Sequence, residues 1–121
     1  MNWLYLWSRT PYRLNRQAGH ELCHLYQMSI SSCIVVCPWA EKGAAAWCNG
    51  EVLTVAANPP GQVVDTLGAG DTFVAGFLHA RARHMPVSYA LDFACSLAAA
   101  KCTMDGFEGL QHFAKINICA Q

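Results

Sequence analysis

The chain has 121 residues, of which 54% are hydrophobic and only 13% are charged, and its eight basic residues balance its eight acidic ones at pH 7. This length allows one domain at most, and the lack of a basic patch or a block of like charge argues against a nucleic-acid-binding protein. Average soluble chains carry about 25% charged residues, so we expect much of this surface to be apolar and prone to association.

The cysteines and the N-terminus indicate a cytoplasmic protein. The seven cysteines are irregularly spaced and form no Cys-x-x-Cys pair, a pattern that predicts free thiols in a reducing compartment rather than a disulfide framework. The apolar run at residues 1–7 is too short for a signal-peptide core or a membrane span, and no basic segment precedes it. We therefore expect a cytoplasmic chain that binds neither membrane nor nucleic acid.

Residues 1–32 differ in character from the rest of the chain. They combine aromatic, basic and histidine residues without a clean period, and only a weak helix is predicted, over residues 16–28. We expect this segment to be poorly ordered, and we place a boundary near Ser31 and Ser32, so that residues 33–121 form the folded part.

The first regular elements predicted after this boundary are strands. Residues 33–37 form a continuous apolar, β-branched run bounded by Ser and Pro, which predicts a buried strand. The Asn49-Gly50 pair separates short runs at residues 44–48 and 51–56, and Asn-Gly in that position predicts a two-stranded hairpin.

Two helices are predicted downstream of a loop at residues 58–61 and a short strand at residues 62–65. The first helix covers residues 71–84, and its Gly76, which costs about 1 kcal/mol relative to Ala, predicts close packing against a neighbour. The second helix covers residues 87–103. The residues expected to face the core are Phe73, Phe77 and Ala80 in the first helix and Leu91, Ala94, Cys95, Ala98 and Cys102 in the second.

The candidate catalytic residues lie in the segment that joins the predicted strand to the first helix. It reads Asp65-Thr66-Leu67-Gly68-Ala69-Gly70-Asp71-Thr72-Phe73. The bare backbone at Gly68 and Gly70 lets a large anion approach closely, and the helix N-terminus offers unpaired N–H groups and partial positive charge. A carboxylate at Asp71, beside that anion, is suited to act as a general base toward a hydroxyl nucleophile. The pattern therefore predicts phosphoryl transfer from a nucleotide to an alcohol.

This nine-residue stretch resembles the C-terminal signature of the ribokinase-like (PfkB) carbohydrate kinases, and in particular of the ketohexokinase (fructokinase) type. The resemblance covers most of residues 34–110. It includes the segments Ile34-Val35-Val36-Cys37-Pro38-Trp39-Ala40-Glu41-Lys42-Gly43, Val63-Val64-Asp65, Lys101-Cys102 and Gly106-Phe107-Glu108-Gly109. It implies an α/β fold, a partial Rossmann-like three-layer sandwich of the ribokinase-like type.

The resemblance also implies roles for single positions. Asp71 corresponds to the catalytic base that takes the proton from the sugar hydroxyl. The backbone N–H groups of Gly68, Ala69 and Gly70 correspond to the anion hole that holds the transferring phosphoryl group. Asp65 corresponds to the first Asp of the signature, which supports the loop and, in some relatives, a nearby K⁺. The residues implied to border the nucleotide are Asp65, Thr66, Phe73 behind the loop, Cys95 beside the adenine, and Ala40, Gly43, Asn58, Pro59 and Pro60.

The implied reaction is transfer of the ATP γ-phosphoryl group to a sugar hydroxyl, with Mg²⁺ bound to the ATP and the C1 hydroxyl of fructose as acceptor. The family's N-terminal region, with its β lid and most sugar contacts, is not recognisable in this sequence. We therefore expect the chain to correspond to the last third of such a kinase, as a splice form, a gene-model fragment or a truncated paralogue. On that basis we expect little or no activity from the chain alone.

Two alternatives remain open from the residues. His20-Glu21-Leu22-Cys23-His24 fits His-Glu-x-x-His, which places two zinc ligands on one helix face with a glutamate base, and Glu41 or Glu51 would have to supply a third ligand. The other alternative is a non-catalytic module that pairs with a second copy or with a full-length kinase through an apolar face. Asp71 also has a simpler interpretation, since Asp is a favoured helix N-cap.

Overall fold

The computed structural model describes residues 2–5, 14–25, 33–39, 42–57, 60–110 and 112. The chain forms two compact units, Met1–Ala56 and Ala57–Gln121. The division between these units lies at Ala56, whereas the boundary predicted near Ser31 and Ser32 lies outside the described residues.

The first unit is built on a four-stranded sheet in the order β1-β2-β3-β4. Its elements are β1 (Asn2–Tyr5), α1 (Arg16–Leu25), β2 (Cys33–Pro38), β3 (Ala44–Cys48) and β4 (Glu51–Val55). The β1 strand, which the sequence did not predict, pairs with β2 in parallel, and a helix joins the two strands, as parallel neighbours require a crossover connection. The remaining strands are antiparallel.

The predicted strand and hairpin of the first unit are both confirmed. Every residue of β2 is buried, as its continuous apolar sequence predicts. In the hairpin, Cys48 lies opposite Glu51, and the two residues between them have left-handed backbone, with φ of 52° at Asn49 and 79° at Gly50. Positive φ at both central residues is what a two-residue hairpin turn of type I′ requires.

The core of this unit forms where α1 packs on the sheet around the fully buried Trp47. A Cβ atom on Gly19 of α1 would overlap the Trp47 ring, so the helix can reach this position only with glycine. Cys23 and Cys33 lie in the same core, and burial, together with a hydrogen bond to Cys23, raises the pKa of the Cys33 thiol to about 12. None of the six cysteines in the described part of the chain forms a disulfide, as predicted.

The second unit contains a pair of packed helices, α2 (Ala69–Ala82) and α3 (Val87–Cys102). Both predicted helices are confirmed, although α2 begins two residues earlier than predicted. Close packing at Gly76 is also confirmed, because a Cβ there would lie 3.0 Å from Leu97 Cδ2 and 3.3 Å from the Ala94 Cα. Of the predicted core positions, Phe73, Phe77, Ala80, Leu91, Ala94 and Cys95 are buried, whereas Ala98 and Cys102 are only half-buried. Across the described residues, none of the helices is long and apolar enough to span a membrane.

The strand predicted over residues 62–65 is wrong. The β-branched side chains of Val63 and Val64 are 58% and 54% exposed, and the described part of the second unit contains no strand with which they could pair. Their segment is instead held by the end of α3, since the N–H groups of Val64 and Asp65 donate to the Cys102 carbonyl at 2.7 and 3.2 Å. β propensity alone does not make a strand where no neighbouring ladder is available.

Candidate active site

Gly68 sets the geometry of the loop before α2. It is the N-cap of the helix and has left-handed backbone, with φ 80° and ψ 4°, a conformation that glycine adopts at no steric cost. Its carbonyl accepts two hydrogen bonds from Thr72, at 2.9 Å from the backbone N–H and at 2.8 Å from the hydroxyl. Thr72 is buried, so its side chain fixes the first turn from the inside.

The first turn of α2 leaves backbone donors free. The Ala69 N–H donates to the Thr66 carbonyl at 3.2 Å, and no side chain caps the helix. Within the described residues, no acceptor is found for the N–H of Gly70 or of Asp71. Unpaired N–H groups at a helix N-terminus, reinforced by the helix dipole, form a binding site for an anion such as a phosphoryl group.

Asp71 lies in this same first turn, and its side chain is exposed. The N-cap interpretation of Asp71 is wrong, because Gly68 occupies the N-cap and Asp71 is the third residue of the helix. An accessible carboxylate one residue from a free N–H group can accept a proton from a hydroxyl that approaches the bound anion.

Asp65 anchors the start of the loop. Its Oδ1 accepts a hydrogen bond from the Leu67 N–H at 3.0 Å, and Lys101 Nζ lies 3.1 Å from Oδ2 and 3.2 Å from the Asp65 backbone carbonyl. The Leu67 N–H first of all, and then the Lys101 ammonium, hold the pKa of Asp65 below its ordinary value. This arrangement supports the predicted role of Asp65 as the residue that holds the loop.

Lys101 and Phe107 complete the support of the loop, and neither residue has a role predicted from the sequence. Lys101 is fully buried, and its Nζ lies 5.3 Å from the centroid of the Phe107 ring. The same ring covers Gly68, where a Cβ would come within 2.6 Å of Phe107 Cζ. Helical spacing could have identified Lys101, because it follows the buried Ala94 and Leu97 at intervals of seven and four residues.

The other predicted site residues fall in different places. In the second unit Phe73 and Cys95 are buried, Pro60 is half-buried and Thr66 is exposed. Burial, with a smaller contribution from Asp92, raises the pKa of the Cys95 thiol to about 11. Gly43 belongs to the first unit, where it has φ 102° and accepts a hydrogen bond from the Trp39 N–H at 2.8 Å. Three further predicted residues lie outside the described residues: Ala40, Asn58 and Pro59.

The zinc-site alternative finds no support in the described part of the chain. His20, Glu21 and His24 do lie on α1 and are exposed, but among the described residues no three His, Cys, Asp or Glu side chains are grouped to hold a metal. Glu51, the proposed third ligand, is bound by both oxygens to Arg16 Nη2, at 2.6 and 2.7 Å. The other proposed ligand, Glu41, lies outside the described residues.

Comparison with known proteins places these features in a family. The family model for the pfkB family carbohydrate kinases matches residues 21–109. Mouse ketohexokinase is 42% identical over 94 residues, which are 77% of this chain and 32% of the mouse protein. Fructosamine kinase FrlD of Bacillus subtilis (strain 168) is 47% identical over 47 residues, which are 39% of this chain and 16% of that protein.

Solved structures agree on the fold. The structure of Arabidopsis thaliana ribokinase complexed with ribose and ATP superposes with a TM-score of 0.69 at 23% identity, over 95% of this chain and 41% of the ribokinase chain. The predicted ribokinase-like α/β fold is therefore confirmed. The chain spans a third or less of the length of the curated relatives described above. It belongs to the pfkB family of carbohydrate kinases.

Proposed function

We propose that this chain carries the phosphoryl-transfer site of a ketohexokinase-type sugar kinase, which moves the ATP γ-phosphoryl group to the C1 hydroxyl of a ketohexose such as fructose. The observation that carries this proposal is the first turn of α2. It combines the N–H groups of Gly70 and Asp71, which have no acceptor among the described residues, with the exposed Asp71 carboxylate. The identity to mouse ketohexokinase over 77% of this chain supports the choice of sugar.

In this reaction the residues of the chain position charge and move one proton. Asp71 takes the proton from the attacking sugar hydroxyl. The backbone N–H groups of Gly70 and Asp71, which have no acceptor among the described residues, stabilise the negative charge that develops on the phosphoryl oxygens, whereas the Ala69 N–H expected in the anion hole already donates to the Thr66 carbonyl. Mg²⁺ bound to the ATP would neutralise its β and γ oxygens, and we assign no described side chain to that ion. The adenine is proposed to lie near Cys95, and the free thiols of the described chain support action in the cytoplasm.

We further propose that the isolated chain has little or no turnover. It matches only 32% of the mouse protein, and the resemblance implies that the sugar contacts and lid belong to the part that it does not match. Positioning of both reactants accounts for much of the rate of phosphoryl transfer. A chain that binds the anion without orienting the sugar would therefore bind ATP far better than it turns it over.

The experiment is calorimetric titration of the purified 121-residue chain with ATP in the presence of Mg²⁺ and fructose, run beside a coupled assay for ADP release. Asp71→Asn is the test variant, and Glu21→Gln, which changes an exposed carboxylate on α1, is the control. We expect saturable ATP binding and ADP release at or near background. ADP release near the rate of a complete sugar kinase that survives Asp71→Asn would refute both the assigned base and the expected inactivity.

A non-catalytic interaction module is the alternative that a specific observation favours. Large apolar side chains around the loop are exposed, namely Val63 at 58%, Val64 at 54%, Leu67 at 79% and Phe107 at 58%. Such a patch is typical of a surface that another protein covers. If a folded sample binds no ATP but sediments as a dimer, and Leu67→Ser restores the monomer, this alternative replaces the kinase proposal. The same readout with a full-length kinase present tests the second partner.

A further inference from the structure

The Lys101 ammonium is a positive charge in a fully buried position. The residue has no exposed surface, although lysine is almost never fully buried unless it is paired. Two oxygens of one residue surround Nζ, since the Asp65 carbonyl lies at 3.2 Å and Asp65 Oδ2 at 3.1 Å. The Phe107 ring lies 5.3 Å from Nζ, within the range of a cation–π contact.

These contacts form a small cation site, and the cation that occupies it is the ammonium group of Lys101. A monovalent cation is held in proteins by backbone carbonyls and carboxylate oxygens that replace its water, as carbonyl rings do for K⁺ in channels. The Asp65 carbonyl and Oδ2 are donors of this type, and both are already bound to the ammonium. A second cation on the same two oxygens would lie against the first one, and like charges repel strongly in a poorly solvated site. The donor set therefore does not fit the K⁺ expected beside Asp65.

We propose that Lys101 is a built-in monovalent cation, a positioning residue that replaces K⁺ in organising the phosphoryl-binding loop. The geometry links the ammonium to the loop in two steps. Lys101 fixes both the backbone and the carboxylate of Asp65, and the other carboxylate oxygen fixes the Leu67 N–H at 3.0 Å. The residue after Leu67 is Gly68, whose left-handed backbone starts α2.

The consequence for the loop is that its shape is independent of the ions in solution. The assignment of the loop to phosphoryl binding rests on the proposed function, but the cation site stands on the Asp65 contacts alone. Its tests therefore contain no nucleotide and no sugar. A failure of the ATP titration would overturn the proposed function and leave the cation site in place, whereas an effect specific to K⁺ would do the reverse.

The first test needs no variant. Thermal unfolding of the 121-residue chain is followed by circular dichroism in KCl, NaCl, LiCl and choline chloride at one ionic strength. With the site filled by Lys101, we expect midpoints that agree within about 1 °C, because general screening is the same in all four salts. A midpoint that rises with K⁺ in a saturable way, and not with Na⁺ or choline, would overturn the proposal.

The second test empties the site. Lys101→Ala removes the ammonium and leaves the space of a buried lysine side chain beside the Asp65 oxygens, so we expect a midpoint lowered by at least about 5 °C. n-Propylammonium or K⁺ should then raise that midpoint in a saturable way, while choline at equal concentration should not. If Lys101 were merely structural, the midpoint of the Lys101→Ala variant would not depend on which cation is added. Equal effects of all salts would therefore refute a cation site.

Two further variants serve as controls for this rescue. Lys101→Met keeps most of the length and volume of the side chain without its charge, so it should be destabilised and should gain nothing from n-propylammonium, which has no space to enter. Lys42→Ala removes an exposed lysine and should leave both the midpoint and its response to salts as in the parent chain. Rescue of Lys101→Met by propylammonium to the same extent as Lys101→Ala would count against a specific site.

Discussion

Replacement of Gly68 by alanine tests the loop geometry most directly. Gly68 has φ 80°, and an L-residue in the left-handed region costs roughly 1–2 kcal/mol. A Cβ at this position would also lie 2.6 Å from Phe107 Cζ and 3.0 Å from Phe107 Cε1. Both the backbone and the space around it therefore oppose the added methyl group.

The second cost follows from what the Phe107 ring touches. The ring is the far end of a side chain that is 58% exposed, so it can move aside rather than strain the backbone. Moving it gives up the contact with the Lys101 ammonium, and a cation–π contact of this kind contributes about 0.5–1 kcal/mol. The two costs together predict a loss of about 2 kcal/mol in the free energy of unfolding, or roughly 10 °C in the midpoint for a unit of this size.

Alanine substitutions at two other glycines in the same unit distinguish the cost of the left-handed backbone from the cost of the contact with Phe107. Gly106 has φ 70° and open space around its Cβ position, so Gly106→Ala carries only the backbone cost. Gly61 has open space and no positive φ, so Gly61→Ala should be neutral or stabilising by about 0.4–1 kcal/mol, because alanine restricts the unfolded chain.

The assay is thermal and urea unfolding of the three variants and the parent chain at pH 7. The expected order of stability is Gly61→Ala at or above the parent chain, then Gly106→Ala, then Gly68→Ala. Phe107→Ala combined with Gly68→Ala should add less than the sum of the two single changes, because the overlap is then gone. If Gly68→Ala matched Gly61→Ala, neither the left-handed backbone at Gly68 nor the Phe107 contact could be as described.

Two further predictions follow from the pKa shifts. Because the pKa of Asp65 is below its ordinary 3.8, ionised Asp65 favours the folded state, and its contribution is complete above about pH 5 and is lost as pH falls below 3.8. Asp65→Asn should therefore flatten the acid limb of a midpoint-versus-pH curve, and an unchanged limb would refute the lowered pKa of Asp65. Because burial raises the pKa of Cys95 to about 11 from 9.0, iodoacetamide at pH 8 should alkylate it about a hundredfold more slowly than an ordinary thiol. Mass spectrometry measures the alkylation rate, with the half-exposed Cys102 as internal comparison, and rapid alkylation of Cys95 would contradict the prediction.

Local patterns predicted the elements whose cause is local. The Asn49-Gly50 turn, the continuous apolar run of β2 and the helical spacing around Gly76 each depend on residues close in sequence, and all three are confirmed. The strand at residues 62–65 failed because a strand needs a partner elsewhere in the chain, and β-branched residues at Val63 and Val64 carry no information about that partner.

The candidate site also contains features that the sequence predicts locally and features that depend on distant contacts. The helix start at Gly68 was predictable because a bare backbone before an apolar helix is a local feature, and the binding of an anion there with Asp71 as base stays a prediction. The role of Lys101 was not predicted because it depends on contacts with a residue that is distant in sequence, since Asp65 lies 36 positions before Lys101. A buried lysine within an otherwise apolar helix face conflicts with the pattern around it, and such local conflicts tend to mark functional positions.

The two ends of the helix pair serve the loop in opposite ways. At the N-terminus of α2, the N–H groups of Gly70 and Asp71 find no acceptor in the part of the chain that the structure describes, so they are available to a ligand there. The C-terminus of α3 uses an acceptor, the Cys102 carbonyl, to bind the N–H groups of Val64 and Asp65. These bonds replace the strand ladder that the segment lacks, and the neighbouring Lys101 adds a charged contact to the same Asp65. The loop can therefore present its amides to an anion because the end of a different helix holds it from behind.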